Sequence, residues 1–306
     1  MTTPSMTPIT TVGLLGFGEV GAIFGHALAA QGLRVSAWDK LLPSSPAMHS
    51  HAQAAHVNVA SSAAHLCQGA QLLISAVTAA NTLAAAQGCA AHISPGSVYL
   101  DLNSASPGTK QACADIIEAA GAHYVEAGVM TSVPPHGIAV PMLLGGAHAQ
   151  ALCDTLAAWG CQATVVSNAL GVASAIKMCR SIMVKGLEAL VIESYTAARS
   201  YGVEDHVLPT LAQTFPSIDW TAQGRYFFSR VAQHGQRRAE EMRESGVTVN
   251  EAGFESTMAS AIADKQQWMA DAKQDGVFAH LDKDAPWQAY ADALIAARSQ
   301  GQPPSQ

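Results

Sequence analysis

Aromatic residues are scarce: Phe, Trp and Tyr together make up 6% of the 306 residues. The apolar fraction is nevertheless 49%, so the predicted core rests on Ala, Val, Leu and Ile, a composition suited to helices packed closely on a sheet. Positive charge is also short, with 16 Lys and Arg against 23 Asp and Glu and a net charge of −7. That balance excludes a nucleic-acid backbone as the expected partner, because phosphate binding needs a basic surface. An anionic small substrate stays open, since one local Lys or Arg outweighs the global field. No C-x-x-C pair occurs among Cys67, Cys89, Cys113, Cys153, Cys161 and Cys179, which argues against a zinc ribbon or a redox dithiol. These cysteines are expected to behave as small buried hydrophobes. There is no H-x-x-x-H spacing on a convincing helix; His51 and His56 are five positions apart, and no metal is expected. Residues 1–11 lack a basic segment and a long apolar run, so neither a signal peptide nor a membrane span is predicted, and the expected location is cytoplasmic. No solenoid-type repeat is present.

At this length two domains are expected. Residues 10–15 form a short β-rich run, followed by Gly16 to Gly21 and a helical pattern that stops at Gly32. Further strands are predicted at 33–38, 72–77, 98–102 and 140–144, with helices near 81–91 and 109–120. Residues 48–65 show no clear period, and Val125 opens a turn-rich stretch. Strands alternating with helices imply βαβ units and a mostly parallel, doubly wound sheet. From Asn168 the strand signals end. Asn168 is read as the cap of a long helix to about Ser200, followed by helices near 222–245, 251–274 and 286–297. The predicted fold is α/β: a Rossmann domain over 1–166 and an all-helical domain for substrate and dimerisation over 167–306. The tail after Arg298 has the composition of a disordered segment.

Gly16-Phe17-Gly18-Glu19-Val20-Gly21 matches G-x-G-x-x-G between a predicted strand and a helix, the context that gives the motif meaning. The first glycine serves the tight turn, the second lets backbone approach a pyrophosphate, and the third lets helix and strand pack closely. The helix start then offers N–H groups and a positive dipole end to phosphates. Asp39 ends the second strand, 18 positions after Gly21. An acid there accepts hydrogen bonds from the adenosine ribose and repels a 2′-phosphate, so NAD is favoured, with NADP possible because Lys40 follows. Val77 and Thr78, at the end of the third predicted strand, complete the expected cofactor edge.

Three segments together resemble the β-hydroxyacid dehydrogenases, the superfamily of hydroxyisobutyrate and phosphogluconate dehydrogenases. Leu14 to Gly25 (LLGFGEVGAIFG) is similar to the family's cofactor signature, with Val20 where Met is usual. Asp101-Leu102-Asn103-Ser104 with Pro107 resembles its D-x-S-T-x-x-P segment, which implies that Asn103 and Ser104 line the nicotinamide side. Gly171 to Ser181 (GVASAIKMCRS) resembles its catalytic helix and implies Lys177 as the catalytic lysine. Two departures are visible. Where the family's substrate loop reads D-A-P-V-S-G-G, this chain has Glu126 to Ser132 (EAGVMTS), and Ser181 stands where Asn is usual. Imine reductases of the same architecture lack the lysine.

Lys177, Ser181 and Lys185 fall at i, i+4 and i+8 and share one helix face. Their apolar neighbours predict a lysine with a lowered pKa, suited to general acid–base work. Glu188 is an alternative partner that would neutralise Lys185. Met130, Thr131 and Ser132 follow a strand end and offer N–H groups and hydroxyls to a substrate carboxylate. His234, Arg237 and Arg238 are candidates for an anionic substrate end, the other reading being a solvated face paired with Glu240 and Glu241. The expected function is hydride transfer between a nicotinamide and a small hydroxy acid, with Lys177 as acid–base and Ser181 orienting. Imine or ketone reduction, and NAD(H) sensing without turnover, are the other readings. The long helix, apolar on more than one side, predicts a homodimer through the C-terminal domain.

Overall fold

The computed structural model describes residues 8–299. The polar tail lies outside them apart from Ser299, as do residues 1–7. The sheet part contains β1 (Thr11–Leu15), α1 (Glu19–Ala30), β2 (Arg34–Trp38), α2 (Pro46–Ala54), β3 (Asn58–Val59), α3 (Ala63–Gly69), β4 (Leu72–Ser75), α4 (Thr82–Ala90), β5 (Val98–Asp101), α5 (Pro107–Ala119), β6 (His123–Val129), β7 (Met142–Gly145), α6 (Ala149–Ala158) and β8 (Ala163–Ser167). The helical part contains α7 (Val172–Tyr201), α8 (Glu204–Thr214), α9 (Trp220–Glu251), α10 (Thr257–Gln274) and α11 (Trp287–Ser299).

The strand order is β3-β2-β1-β4-β5-β6-β7-β8, parallel except where β6 meets β7. The inner strands β4 (LLIS) and β5 (VYLD) are buried at every residue, as expected for parallel strands covered on both faces. One face carries α1, α2 and α6 through Phe24, Leu28, Ala52, Leu152 and Leu156. The other carries α3, α4 and α5 through Leu66, Cys67, Cys89, Cys113 and Ile117. The winding reverses between β1 and β4, so the carboxyl ends of these strands form the crevice where such sheets bind ligands.

Several sequence expectations need correction. The segment at 48–65 holds most of α2, β3 and the start of α3, and β6 runs on from Val125 to Val129, so the turn-rich stretch begins only at Met130. The edge strand β3 is two exposed residues and β8 is mostly half-buried, and neither carries strong alternation. Helices α6 and α8 were not foreseen. Asn168 does not cap α7: Gly171 takes a left-handed φ of +89° and the helix begins at Val172. Four cysteines are buried as expected, but Cys153 is half-buried and Cys179 exposed.

The chain divides into two compact units, one running to Met178 and the other starting at Cys179. The first turns of α7 thus belong with the sheet. In the helical unit the core is rich in the scarce aromatics: Tyr195, Trp220, Phe227, Phe228, Trp287 and Tyr290 pack with Ile192, Val231 and Met269. A Cβ at Gly224 would come within 2.7 Å of the Tyr195 ring, which is how closely α9 lies on α7. Asp219 caps α9 by accepting the Ala222 N–H at 2.9 Å, and α9 kinks at His234 (φ −128°, ψ 15°). No described helix is long and apolar enough to cross a membrane.

Candidate active site

The glycine loop has the shape its spacing predicts. Gly16 has φ +92°, and a Cβ there would lie 2.6 Å from the Ala76 carbonyl oxygen. A Cβ at Gly21 would collide with the Gly16 carbonyl, whereas one at Gly18 would meet nothing within 4 Å. The first and third glycines serve internal packing, and the second faces open space. Gly18 is also the N-cap of α1 and supplies no side-chain acceptor, so the start of α1 keeps donors for an anion. Asp39 lies against this loop: its Oδ2 accepts the Phe17 N–H at 2.8 Å and its Oδ1 the Leu41 N–H at 2.9 Å. Val77 and Thr78 fall just beyond β4, and the exposed Thr78 hydroxyl accepts from the Asn81 amide at 2.7 Å. These features fit a dinucleotide.

Next along the carboxyl edge is Asp101, the fully buried last residue of β5. Its Oδ1 receives Lys110 Nζ at 3.0 Å and the Asn103 N–H at 2.9 Å, and its Oδ2 receives the Tyr124 hydroxyl at 2.6 Å. Burial, then the Asp101 charge, pushes the Tyr124 phenol well above its usual value, so it stays a donor. Asn103 donates its Nδ2 to Ser75 Oγ at the end of β4, 2.9 Å away. Ser104 follows, half-buried.

Glu126 on β6 pairs in register with Asp101 on β5. It is fully buried, and its two carboxylate oxygens accept the Ala173 N–H (3.1 Å) and the Ser174 N–H (3.3 Å). It therefore caps α7 from a strand 47 residues earlier, in the role expected of Asn168. Two residues on, a Cβ at Gly128 would lie 3.0 Å from the Ala173 carbonyl oxygen and 3.4 Å from Lys177 Cβ. The missing side chain lets the first turns of α7 rest on the end of β6. Lys177 thereby stands, half-buried, at the same sheet edge as the glycine loop and Asn103.

Residues 11–166 match the NAD binding domain of 6-phosphogluconate dehydrogenase. The chain belongs to the β-hydroxyacid dehydrogenase superfamily. Residues 198–269 match a domain of unknown function, DUF1932. A conserved hypothetical protein from Sinorhizobium meliloti 1021 is 32% identical, covers 94% of this chain and 96% of its own, and superposes with a TM-score of 0.72. A conserved protein of unknown function, described as structurally similar to 3-hydroxyacid dehydrogenases, is 30% identical over 87% of this chain and 99% of its own, with a TM-score of 0.66. A 3-hydroxyisobutyrate dehydrogenase from Mycobacterium tuberculosis, solved with L-serine, shares the fold at 19% identity, 94% and 99% coverage and a TM-score of 0.67. The sheet unit is thus the NAD(P)-binding domain of an NAD(P)-dependent dehydrogenase superfamily.

The remaining candidates are dispersed. Met130, Thr131 and Ser132 follow β6 directly, half-buried, exposed and half-buried in turn. Ser181 is buried one turn beyond Lys177. Lys185, placed by spacing on the face of Lys177 and Ser181, is buried with its Nζ 2.9 Å from Glu241 on α9. Glu188 does not neutralise it but holds Arg238, whose Nε lies at 2.9 Å, and accepts Gln266 Nε2 at 3.2 Å. Arg238 is therefore neither a substrate clamp on an open face nor a partner of Glu240. Arg237 is 3.9 Å from Glu241, and His234 is the half-buried residue at the kink of α9. The sequence reading missed Lys110 and Tyr124, and met Glu126 and Gly128 only as a departure from the family's substrate loop. Two carried a signal: Lys110 shares a helical stripe with Cys113, Ala114 and Ile117, all buried, and Glu126 interrupts the apolar run from Tyr124 to Val129 in β6.

Proposed function

We propose that this protein is an NAD(P)-dependent dehydrogenase or reductase that interconverts a small hydroxy acid and its keto acid, with Lys177 as general acid–base. The observation that carries this reading is the seat of Lys177 on the end of β6, where Gly128 admits the helix and Glu126 anchors its first turn. The nicotinamide, when bound, supplies the hydride acceptor or donor. Gly16 to Gly21, at the start of α1, would hold the pyrophosphate. Asp39 would accept the adenosine ribose hydroxyls and disfavour a 2′-phosphate, which makes NAD the preferred form. Lys177 takes the hydroxyl proton in oxidation and returns it in reduction. Ser181, one turn on, orients the substrate or a water. The Met130 N–H is taken by the Pro141 carbonyl oxygen at 2.9 Å, which leaves Thr131, with Ser132 beside it, to offer hydroxyl and N–H donors to the carboxylate. The protein acts as a homodimer through its helical unit, a reading supported by Met183 and Leu190, which stand 75% and 58% exposed seven residues apart on α7.

The test is a panel of hydroxy acids, keto acids and cyclic imines with NAD and NADP, followed by absorbance of the reduced nicotinamide. Lys177→Ala should lower kcat by about 10²–10⁴-fold, the usual contribution of general acid–base catalysis. Lys177→Arg should be nearly as damaging, because a guanidinium keeps its proton. NADH affinity should survive in both. Near-normal turnover in Lys177→Ala refutes the acid–base role, and joint loss of turnover and NADH binding makes Lys177 structural. Tighter NADP than NAD binding overturns the reading of Asp39. Light scattering at micromolar concentration that returns the mass of one chain overturns the dimer.

A further inference from the structure

Side chains from four elements meet at the carboxyl end of β5. Lys110 of α5, fully buried, donates to both the Asp101 carboxylate and the Asp101 carbonyl oxygen, each at 3.0 Å. Tyr124 of β6 donates to the other carboxylate oxygen. Taking a lysine and an aspartate out of water is costly, and apolar side chains of similar volume often serve stability equally well. A buried pair of this kind is better explained by what it holds in place. What it holds is the turn after β5: Asp101 receives the Asn103 N–H, and the Leu102 N–H goes to the Ser75 carbonyl of β4 at 3.0 Å.

Asn103 is 2% exposed and fixed at two points, its backbone by Asp101 and its amide nitrogen by Ser75. Its remaining polar atom, Oδ1, has no hydrogen-bond partner among the described residues. A buried acceptor left without a partner costs free energy, and a donor that arrives with a ligand recovers it. The strands on either side, β4 and β5, end at the edge where the sheet binds its dinucleotide. At the redox end of that molecule the strong N–H donor is the carboxamide of the nicotinamide ring.

We infer that Asn103 Oδ1 is a preset acceptor for the nicotinamide carboxamide, and that the Asp101–Lys110–Tyr124 cluster is the positioning device that presets it. Hydrogen bonding to a fixed amide limits rotation of the carboxamide, and with it the ring. The inference rests on the dinucleotide reading of the crevice and is independent of what Lys177 does.

The test uses calorimetric titration with three probes: NADH, the reduced 3-acetylpyridine analogue, which keeps the carbonyl but lacks the N–H, and ADP-ribose, which lacks the ring. The wild-type chain should bind NADH about tenfold more tightly than the analogue, the worth of one hydrogen bond. Asn103→Ala should abolish that preference and leave ADP-ribose affinity unchanged. The double variant Asp101→Asn with Lys110→Met removes both charges at once, so neither is stranded. It should stay folded, bind ADP-ribose normally and lose most of the preference. Equal affinity of the wild type for NADH and the analogue overturns the inference, as does a preference that survives Asn103→Ala. A double variant that keeps the full preference overturns the positioning role. Loss of ADP-ribose affinity in Asn103→Ala makes that residue structural and overturns it too. A wild-type chain that binds none of the probes overturns the dinucleotide site itself, an outcome distinct from each of these.

Discussion

In the sheet unit the buried carboxylates sit side by side on neighbouring strands, and much of what they hold is backbone. In the helical unit they sit along helices and hold other side chains. Asp101 and Glu126 are register partners on β5 and β6. The first takes the N–H of Asn103, and the second takes the N–H groups that begin α7. By contrast, Lys185 pairs with Glu241, and Glu188 with Arg238 and Gln266, so that α7, α9 and α10 are joined to each other. The partner determines the consequence. A carboxylate bonded to backbone N–H fixes the course of a loop or the first turn of a helix, where a reaction site is built. A carboxylate bonded to a guanidinium across two helices fixes their packing, which apolar residues can also do.

That contrast is open to attack, most strongly at Arg238. Arg238→Met alone leaves the buried Glu188 with Gln266 and, 3.8 Å away, the part-exposed Arg230, and should cost about 3 kcal/mol in urea unfolding. The double variant Glu188→Met with Arg238→Met should recover most of that loss, since a buried pair replaced by apolar residues is often close to neutral. Equal loss in the single and double variants would break the comparison. Glu126→Gln should have a smaller effect, about 1–2 kcal/mol, because it weakens a charge-assisted cap but leaves an oxygen to accept. Its signature is local: hydrogen exchange should quicken at the Ala173 and Ser174 amides and stay unchanged through α9 and α10. Uniform loss of protection would show that Glu126 supports the whole unit instead.

The smallest effect is a pH dependence on the sheet side. His148 stacks on His123 with ring centroids 3.8 Å apart. Burial first, and then the His123 charge, holds the His148 imidazole below its ordinary value of 6.5. The unfolded chain therefore binds this proton more readily than the folded one. The contribution of His148 to stability is whole above about pH 6.5 and is lost as pH falls from there toward the folded value. Melting temperatures at pH 7.5 and 5.5 should differ, and His148→Gln should narrow the difference. An unchanged difference in the variant would remove His148 from the account.

How much was visible beforehand depended on how local the cause was. The glycine loop was legible in full, because Gly16, Gly18 and Gly21 answer to needs that arise within six residues: a left-handed turn, an open side and a close helix. The placement of Lys177 on a long helix was legible from the period of its apolar neighbours. Glu126 was not. A charge within an apolar strand announces a buried partner, but the partner lay 47 residues away, and the nearby Asn168 offered a plausible local cap. Lys185 was misjudged for a related reason. Glu188 is its neighbour by helical spacing, yet Glu241 on another helix supplies the charge. The short edge strands β3 and β8 escaped because few of their side chains are buried, so little pattern is required of them.

The amino-acid sequence by itself determined the alternation of strand and helix, the dinucleotide loop and the helix that carries Lys177, since each follows from backbone preference or from a period of side chains along one element. Only the tertiary structure decided which charges meet. The tethering of Asn103 by Asp101 and of α7 by Glu126 arises because β5 and β6 lie side by side and end at one edge, and adjacency between strands is a property of the folded sheet.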